Sequence, residues 1–388
     1  MLISLRGLLF VIGLFVTAMV GSCVLMAPTL PLLLFPHPMS RKMYRQWNSL
    51  IAACWFSASC FSLEKWCGIK LKFCGDNVPF AENCLIISNH RTRIDWMFLW
   101  CLCLRYGHLS KLKIVLKDPL KSIPGFGWAM QMFLFVFLKR NDRQRDLRHI
   151  RQVLKYAVDH KEPPTLLLFP EGTNISPENL ERSHAYAEKK GLTKYNYVLH
   201  PKVSGWVESI NTLRPSLDAV YDITIAYVDY QPGERPSEKS MFKGRFPREV
   251  HIHIARHTIQ SIPIEKDQLE KWCKDSFDSK ENQLEYFYQH KNFEQREYTA
   301  NSDHAEGSQG RHQTEGSVMQ RYISRIFSLT VSFWTAICML FAYGIIWSTW
   351  FRIYFIVTCT AFVLLTRLAG GIDIIELYMH SKKSTKQD

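Results

Sequence analysis

The sequence predicts an α/β protein, a mixed central sheet flanked by helices, with membrane helices at its N-terminal and C-terminal ends. Three observations carry this. Between residues 64 and 293 short β-rich runs alternate with stretches of helical spacing, the pattern of strands joined by helices. Ahead of that region, Leu8 to Phe35 is a nearly uncharged run long enough to cross a bilayer. Beyond it, Ile326 to Trp350 and Ile353 to Thr366 are two further apolar runs.

Composition narrows the partners. Of 388 residues 47% are apolar, yet Lys and Arg outnumber Asp and Glu by 48 to 35, a net charge of +13. A basic chain favours anionic partners. The sequence carries no paired Cys/His finger and no basic region followed by heptads, so nucleic acid is set aside in favour of membrane lipids. The eleven cysteines are scattered, several within apolar runs. They read as buried thiols in a reducing compartment, not as a disulfide or zinc framework.

Residues 1–63 form the first segment. A cleaved signal peptide would have a shorter apolar core ending at a small-residue site. Here the run is longer, breaks only at Pro28 and Pro31, and is followed by Arg41, Lys42 and Arg45, so it reads as an uncleaved anchor. Trp47 to Leu63 is a second apolar stretch with four serines. Its length suits either a hairpin with the first run or a buried soluble helix.

Residues 64–293 form the α/β domain, with strands expected at 85–88, 165–170, 223–228 and 250–255 and a closing helix over 265–293. In that helix Leu269, Trp272, Phe277, Leu284 and Phe287 share one face. Residues 294–320 are polar and aperiodic, as in a linker. Residues 321–388 read as a membrane hairpin turning at Arg352 with a basic tail. Arg321 and Arg325 on one side, and Arg367, Lys382, Lys383 and Lys386 on the other, place both outer ends, and the α/β domain joined to them, in the cytosol.

Two strand ends carry chemistry. In LIISNHRTRID an apolar strand delivers Asn89 and His90 into a turn, with Asp95 five residues after the histidine. Histidine suits proton removal near neutral pH, and a carboxylate on its second ring nitrogen fixes the tautomer. With no serine or cysteine nucleophile in a motif beside it, the pair points to direct attack by a substrate hydroxyl, His90 as base and Asp95 as orienter. The plain alternative is a turn histidine with a helix-capping neighbour.

In LLLFPEGTN, Phe169 and Pro170 end a second strand, Gly172 lets the backbone approach a ligand, and the amides around Gly172 and Thr173 suit a phosphate oxygen. Glu171 would repel a phosphate there, so it is expected to hold an arginine or bond a glycerol hydroxyl. Arg140, at the end of the apolar stretch 123–138, is the candidate for a bidentate phosphate grip. Pro201 marks another strand-to-turn transition. His251 and His253 share a strand face, with His257 nearby, but no fuller ligand set accompanies them and no metal is assigned.

In order and spacing, Asn89-His90 through Asp95, Gly125 through Arg140, Phe169-Pro170-Glu171-Gly172-Thr173 and then Pro201 resemble the four motifs of the glycerolipid (1-acylglycerol-3-phosphate) acyltransferase family. The runs NHRTRIDWMFLW, PGFGWAMQ, FPEGTN and AEKKGLTKYNYVLHP look like its lysocardiolipin branch, over residues 40–293. The resemblance implies an acyltransferase domain, an acyl-CoA donor serving as co-substrate with no cofactor, an anionic lysophospholipid acceptor, and a ternary complex without acyl-enzyme. By position it makes His90 the base and Asp95 its partner. It gives Arg140, Glu171, Gly172 and Thr173 to the glycerol phosphate and Pro201 to the acyl-CoA side, while Asn89, Phe169 and Pro170 complete the substrate-binding set. Lys139 departs from the usual residue before the arginine, which leaves Arg140 chosen over a second cation. The branch further implies an endoplasmic reticulum membrane. A lysophosphatidate acyltransferase and a non-catalytic scaffold of the same fold are the alternatives.

Overall fold

The computed structural model describes residues 4–35, 37–231, 234–294 and 311–384, with the side chains of 311–317 and 381–384 excepted. Helix α1 (Leu5–Val20) runs on through π and 3-10 turns to Leu33, where Pro28 and Pro31 tighten the winding. Then follow α2 (Pro38–Phe61), β1 (Lys70–Gly75), β2 (Cys84–Ser88), α3 (Asp95–Arg105), β3 (Leu112–Lys117), α4 (Phe126–Met132), β4 (Val136–Leu138), α5 (Arg143–Asp159) and β5 (Thr165–Leu168). After these come α6 (Pro177–Lys190), α7 (Val203–Leu213), β6 (Ala219–Val228), α8 (Glu238–Phe242), β7 (Glu249–Thr258) and α9 (Lys266–His290). The chain closes with α10 (Arg311–Trp347), α11 (Thr349–Leu368) and α12 (Ile372–Ser384).

The strands form one seven-stranded sheet in the order β1-β7-β6-β2-β5-β3-β4, parallel except where β6 meets β7. The sheet is mixed, as the sequence predicts. Side chains alternate across it. On β2, Cys84 and Ile86 enter the core shared with α1 to α4, and Leu85 and Ile87 enter the core under α5, α7 and α9. Burial on both faces explains why LIIS is apolar without alternation. Helix α9 buries Leu269, Cys273, Phe277, Leu284 and Phe287.

Among the described residues three helices are long and apolar enough to cross a membrane: Leu5–Leu33, Val318–Trp347 and Thr349–Leu368. The stretch 47–63 is not among them. All but its last two residues belong to α2, which starts at Pro38, buries Ile51, Trp55, Phe56 and Cys60 in the core, and includes the basic cluster; Arg45 is itself buried.

The C-terminal hairpin turns at Ser348 and not at Arg352. Ser348 Oγ accepts the Phe351 N–H at 3.2 Å, which caps α11, while Arg352 donates to the carbonyls of Ile345 and Ile346 at the end of α10. A cation placed four residues past the break can satisfy the orphan carbonyls behind it.

Two further expectations shift. Most of the linker, 295–310, lies outside the described residues, but α10 already begins at Arg311, as a long helix seeded by the apolar run extends through helix-forming polar residues. The apolar stretch 123–138 holds two elements, α4 and β4, with Leu134 in the left-handed region between them. In the basic tail Lys386 and the side chains of Lys382 and Lys383 fall outside the described residues.

Candidate active site

Parallel strands β2, β5 and β6 end on one edge of the sheet, and the loops leaving them assemble the site, as open α/β sheets favour. His90 follows β2. Its Nδ1 lies 3.0 Å from Asp95 Oδ2, and its side chain is 17% exposed, which leaves Nε2 facing outward. Asp95, the first residue of α3, is fully buried. It accepts the Thr92 N–H at 2.9 and 3.1 Å, the Thr92 hydroxyl at 2.7 Å and the Tyr227 hydroxyl at 2.5 Å. Burial and the neighbouring carboxylate push the Tyr227 phenol well above its ordinary range, so it stays a donor. Four donors surround Asp95, and the one with an exposed side chain is the histidine.

The second loop locks onto the first. The Phe169 ring stacks on His90 at 4.3 Å between centroids and 26° between planes. Glu171 is buried, and its two oxygens accept the N–H of His90 at 2.6 Å and of Leu199 at 3.0 Å. Neither an arginine nor open space meets this carboxylate. It ties together three loops, those after β2 and β5 and the one that precedes α7. Burial raises its pKa to about 8 against the pull of these two amides.

The third loop brings Arg140, which has a left-handed backbone and donates from Nη1 to the Gly172 carbonyl at 2.5 Å. That strained turn is held by Asp146, whose carboxylate accepts the N–H groups of Lys139 and Arg140 at 2.9 and 2.7 Å. Gly172 also has positive φ, and a β-carbon there would stand 3.6 Å from Lys202 Nζ. Arg140 and Lys202 thus converge on Gly172. Both cations are solvent-facing, as charges available to an anion would be.

Of the other expected residues, Thr173 accepts from the Asn179 side chain at 3.2 Å, and the Pro170 carbonyl takes the Lys202 N–H at 2.7 Å, which draws Pro201 alongside. Asn89 is turned away. Its amide pairs with Ile225 in both directions, at 3.0 and 2.8 Å, so it stitches the end of β2 to β6. An amide with both ends engaged and no exposed surface positions the loop and does not face the site. His251 bonds Glu249 at 2.9 Å and packs on Phe287, while His253 packs on Phe293.

Sequence reading missed Thr92, Tyr227, Asp146 and Lys202. Thr92 sits inside the quoted motif, and the Asp146 carboxylate follows the arginine at a spacing that can close a turn. Tyr227 offers only a hydroxyl near a strand end, 132 residues from its partner.

Comparison with known proteins follows this geometry. The sequence matches the family described as Acyltransferase over residues 70–227 and the Acyltransferase C-terminus over 240–334. It is 38% identical to lysocardiolipin acyltransferase 1 of Gallus gallus, over 100% of this chain and 98% of that one. A 1-acyl-sn-glycerol-3-phosphate acyltransferase 2 of Brassica napus is 30% identical, over 73% of this chain and 70% of its own length. The crystal structure of the 1-acyl-sn-glycerophosphate acyltransferase PlsC from Thermotoga maritima aligns with a TM-score of 0.44 and 19% identity, covering 73% of this chain and 96% of that one.

Proposed function

The chain belongs to the acyltransferase family, and from that premise we propose that it transfers a fatty acyl group from acyl-CoA to the free hydroxyl of an anionic lysophospholipid. The single observation that carries this reading is His90 held through Nδ1 by a buried, four-donor Asp95, with its backbone tied through Glu171 to the loop in which Arg140 and Lys202 meet Gly172. The acceptor's phosphate rests on Arg140 and Lys202, and its hydroxyl meets His90 Nε2. The hydroxyl oxygen attacks the thioester carbonyl as its proton passes to His90. When the tetrahedral centre collapses, the carbon–sulfur bond breaks and the proton goes from His90 to the departing CoA sulfur. Asp95 stabilises the imidazolium between these steps, and Glu171 and Asn89 fix the loops. No acyl-enzyme is formed.

The three apolar helices keep both lipid substrates beside the site, which we assign to the cytosolic face of an internal membrane, the endoplasmic reticulum. Full-length similarity to a lysocardiolipin acyltransferase favours lysophospholipid remodelling. Similarity to a 1-acyl-sn-glycerol-3-phosphate acyltransferase supports a second reading, acylation of lysophosphatidate. The deciding measurement is acyl transfer from labelled oleoyl-CoA across an acceptor panel, with His90→Ala and Asp95→Asn as controls. Transfer to lysophosphatidate alone selects the second reading. Turnover near wild type in correctly folded His90→Ala rejects both.

A further inference from the structure

Directly after His90 stands an arginine that the mechanism above does not use. The backbone of His90 is pinned on both sides, its N–H to Glu171 and its carbonyl to the Ile175 N–H at 3.0 Å, while its side chain keeps exposed surface. Arg91 is 8% exposed, and its guanidinium carbon lies 4.0 Å from the centroid of the Tyr288 ring on α9. One residue of the loop is open to a ligand, and the next is sunk against a helix that lends no group to the chemistry.

What holds Arg91 is an aromatic face and not a carboxylate. Arg105 and Arg45 are also buried, and acids grip them: Arg105 meets Glu64 with two bonds at 2.8 and 3.0 Å, and Arg45 meets Glu376 at 2.6 Å. Arg91 Nη1 is buried with no hydrogen-bond partner among the described residues. A guanidinium over an aromatic ring is drawn to the ring's negative face, most strongly where water is excluded. The ring is itself fixed. Tyr288 stacks on Tyr197, 5.6 Å between centroids and 7° between planes, and its hydroxyl accepts the Tyr227 N–H at 3.4 Å. Glu281, about two turns earlier on α9, accepts the N–H groups of Asn196, Tyr197 and Val198 at 2.6, 2.8 and 3.0 Å, which sets Tyr197 beside that ring. Lys291 is a second cation over Tyr288, farther out at 5.6 Å and exposed.

We propose that Arg91 is a positioning residue: its seat on the Tyr288 ring sets the direction in which the loop presents His90. The peptide planes on either side of Arg91 are rigid, so a shift of its backbone passes to His90 before it and to Thr92 after it. Thr92 carries two of the donors on Asp95, and Asp95 holds His90 Nδ1 at 3.0 Å. Release of Arg91 therefore disturbs the histidine and its orienter together. The inference deepens the acyl-transfer reading, on which it rests for the role of His90.

The test uses the full-length protein in detergent, with labelled oleoyl-CoA and whichever lysophospholipid of the panel above it acylates. Arg91→Gln and Tyr288→Leu are each expected to lower kcat by roughly 10²-fold, the scale of a displaced reacting group, with the KM of both substrates within about twofold of wild type. Tyr288→Phe keeps the ring face and is expected to hold kcat within about threefold. Arg91→Gln combined with Tyr288→Leu should fall no further than the worse single variant, because both remove one contact. Lys291→Ala is expected to leave kcat unchanged. A raised KM with kcat preserved overturns the proposal, as do losses that multiply in the double variant or a loss in Tyr288→Phe equal to that in Tyr288→Leu. Should Tyr288→Leu not fold, difluorophenylalanine in place of Tyr288 keeps the shape and weakens the ring face. Its kcat is expected to lie between those of Tyr288→Phe and Arg91→Gln, and a kcat equal to that of Tyr288→Phe rejects the contact. Independently of turnover, ethoxycarbonylation of His90 by diethyl pyrocarbonate, followed by mass spectrometry of its peptide, is expected to change in rate by more than about threefold in Arg91→Gln and to match wild type in Tyr288→Phe. An unchanged rate in Arg91→Gln rejects the positioning role. A changed rate in a protein that transfers no acyl group upholds it while the acyl-transfer reading fails.

Discussion

Asp95 and Glu376 are both carboxylates with no exposed surface, and each is surrounded by donors from distant parts of the chain, yet they serve different ends. Glu376, on α12, accepts Arg45 from α2 at 2.6 Å and the Tyr156 hydroxyl from α5 at 2.5 Å. Beside it Asp373 pairs with Lys121 at 2.7 Å, and Gln131 bridges the loop before α12 to α4 and α11. Both oxygens of Glu376 are thus taken by protein donors. At Asp95 one donor, His90, keeps its second nitrogen directed outward. A closed network fastens the helix following the apolar hairpin onto the sheet domain, while an open one leaves a ring nitrogen to meet a ligand. The outward-facing nitrogen, and not burial or charge, separates the two.

The sharpest way to break this comparison is His90→Ala. Acyl transfer is expected to fall by roughly 10³-fold or more, the scale of a lost general base, with an unfolding midpoint near that of wild type. Asp95→Asn follows, with a loss of roughly 10²-fold in kcat, because a neutral amide cannot stabilise the imidazolium. Single-turnover assays with labelled oleoyl-CoA read both. If either variant lost midpoint in proportion to activity, the Asp95 network would be a fastening like that at Glu376.

Glu376→Ala should behave in the opposite sense. Removing one partner leaves the Arg45 guanidinium buried and uncompensated, a cost of about 3–5 kcal/mol. Denaturation in detergent is expected to show that loss, while kcat per folded molecule stays within about twofold of wild type. The double variant Arg45→Met with Glu376→Met should recover most of the stability, since apolar replacements of a buried pair are often neutral. A variant that lost turnover without losing stability would show α12 to act on the chemistry.

Much of the open network was legible in the sequence, and almost none of the closed one was. His90, Asp95, Phe169 to Thr173 and Arg140 are legible as neighbours because strand ends, glycine and proline punctuate a chain locally and these residues stand in short motifs. The strands expected over 85–88, 165–170, 223–228 and 250–255 are legible for the same reason, the second ending two residues early at Leu168. Strands β1, β3 and β4 mix charged or helix-like residues with apolar ones and were hidden. Glu376, Arg45 and Tyr156 are separated by up to 331 positions, and nothing local marks Glu376 as buried. Glu171 and Asn89 fall between these cases. Both positions were singled out, but backbone amides, invisible in a sequence, determine that they hold loops.

Arg140→Gln is expected to raise the KM for the acceptor by roughly tenfold, one charge-assisted contact, with kcat changed less. Lys202→Ala should add to it if the two cations share one phosphate. Steady-state kinetics at fixed oleoyl-CoA measure both effects, and a change confined to the KM for the donor would move Arg140 out of the acceptor site.

The smallest effect separates the two networks by pH. Burial raises Glu171, beside His90, to about 8 and Asp373, beside Glu376, to about 6, from ordinary values of 4.5 and 3.8. Both are acids whose folded pKa lies above the unfolded one, so the stability each contributes is full below its unfolded value and is lost as pH rises through the folded value. The stability difference between wild type and Glu171→Gln should therefore fall between pH 4.5 and about 8, with a slope of at most about 1.4 kcal/mol per pH unit. For Asp373→Asn the corresponding fall ends near pH 6, since Lys121 favours the ionised form. Taking differences cancels the titration of every other group, so a slope persisting above pH 7 in one pair of curves and absent from the other assigns it to the loops around His90. Equal slopes in the two pairs would mean that Glu171 titrates with the α12 carboxylates and that its two backbone amides, and not its burial, set its charge.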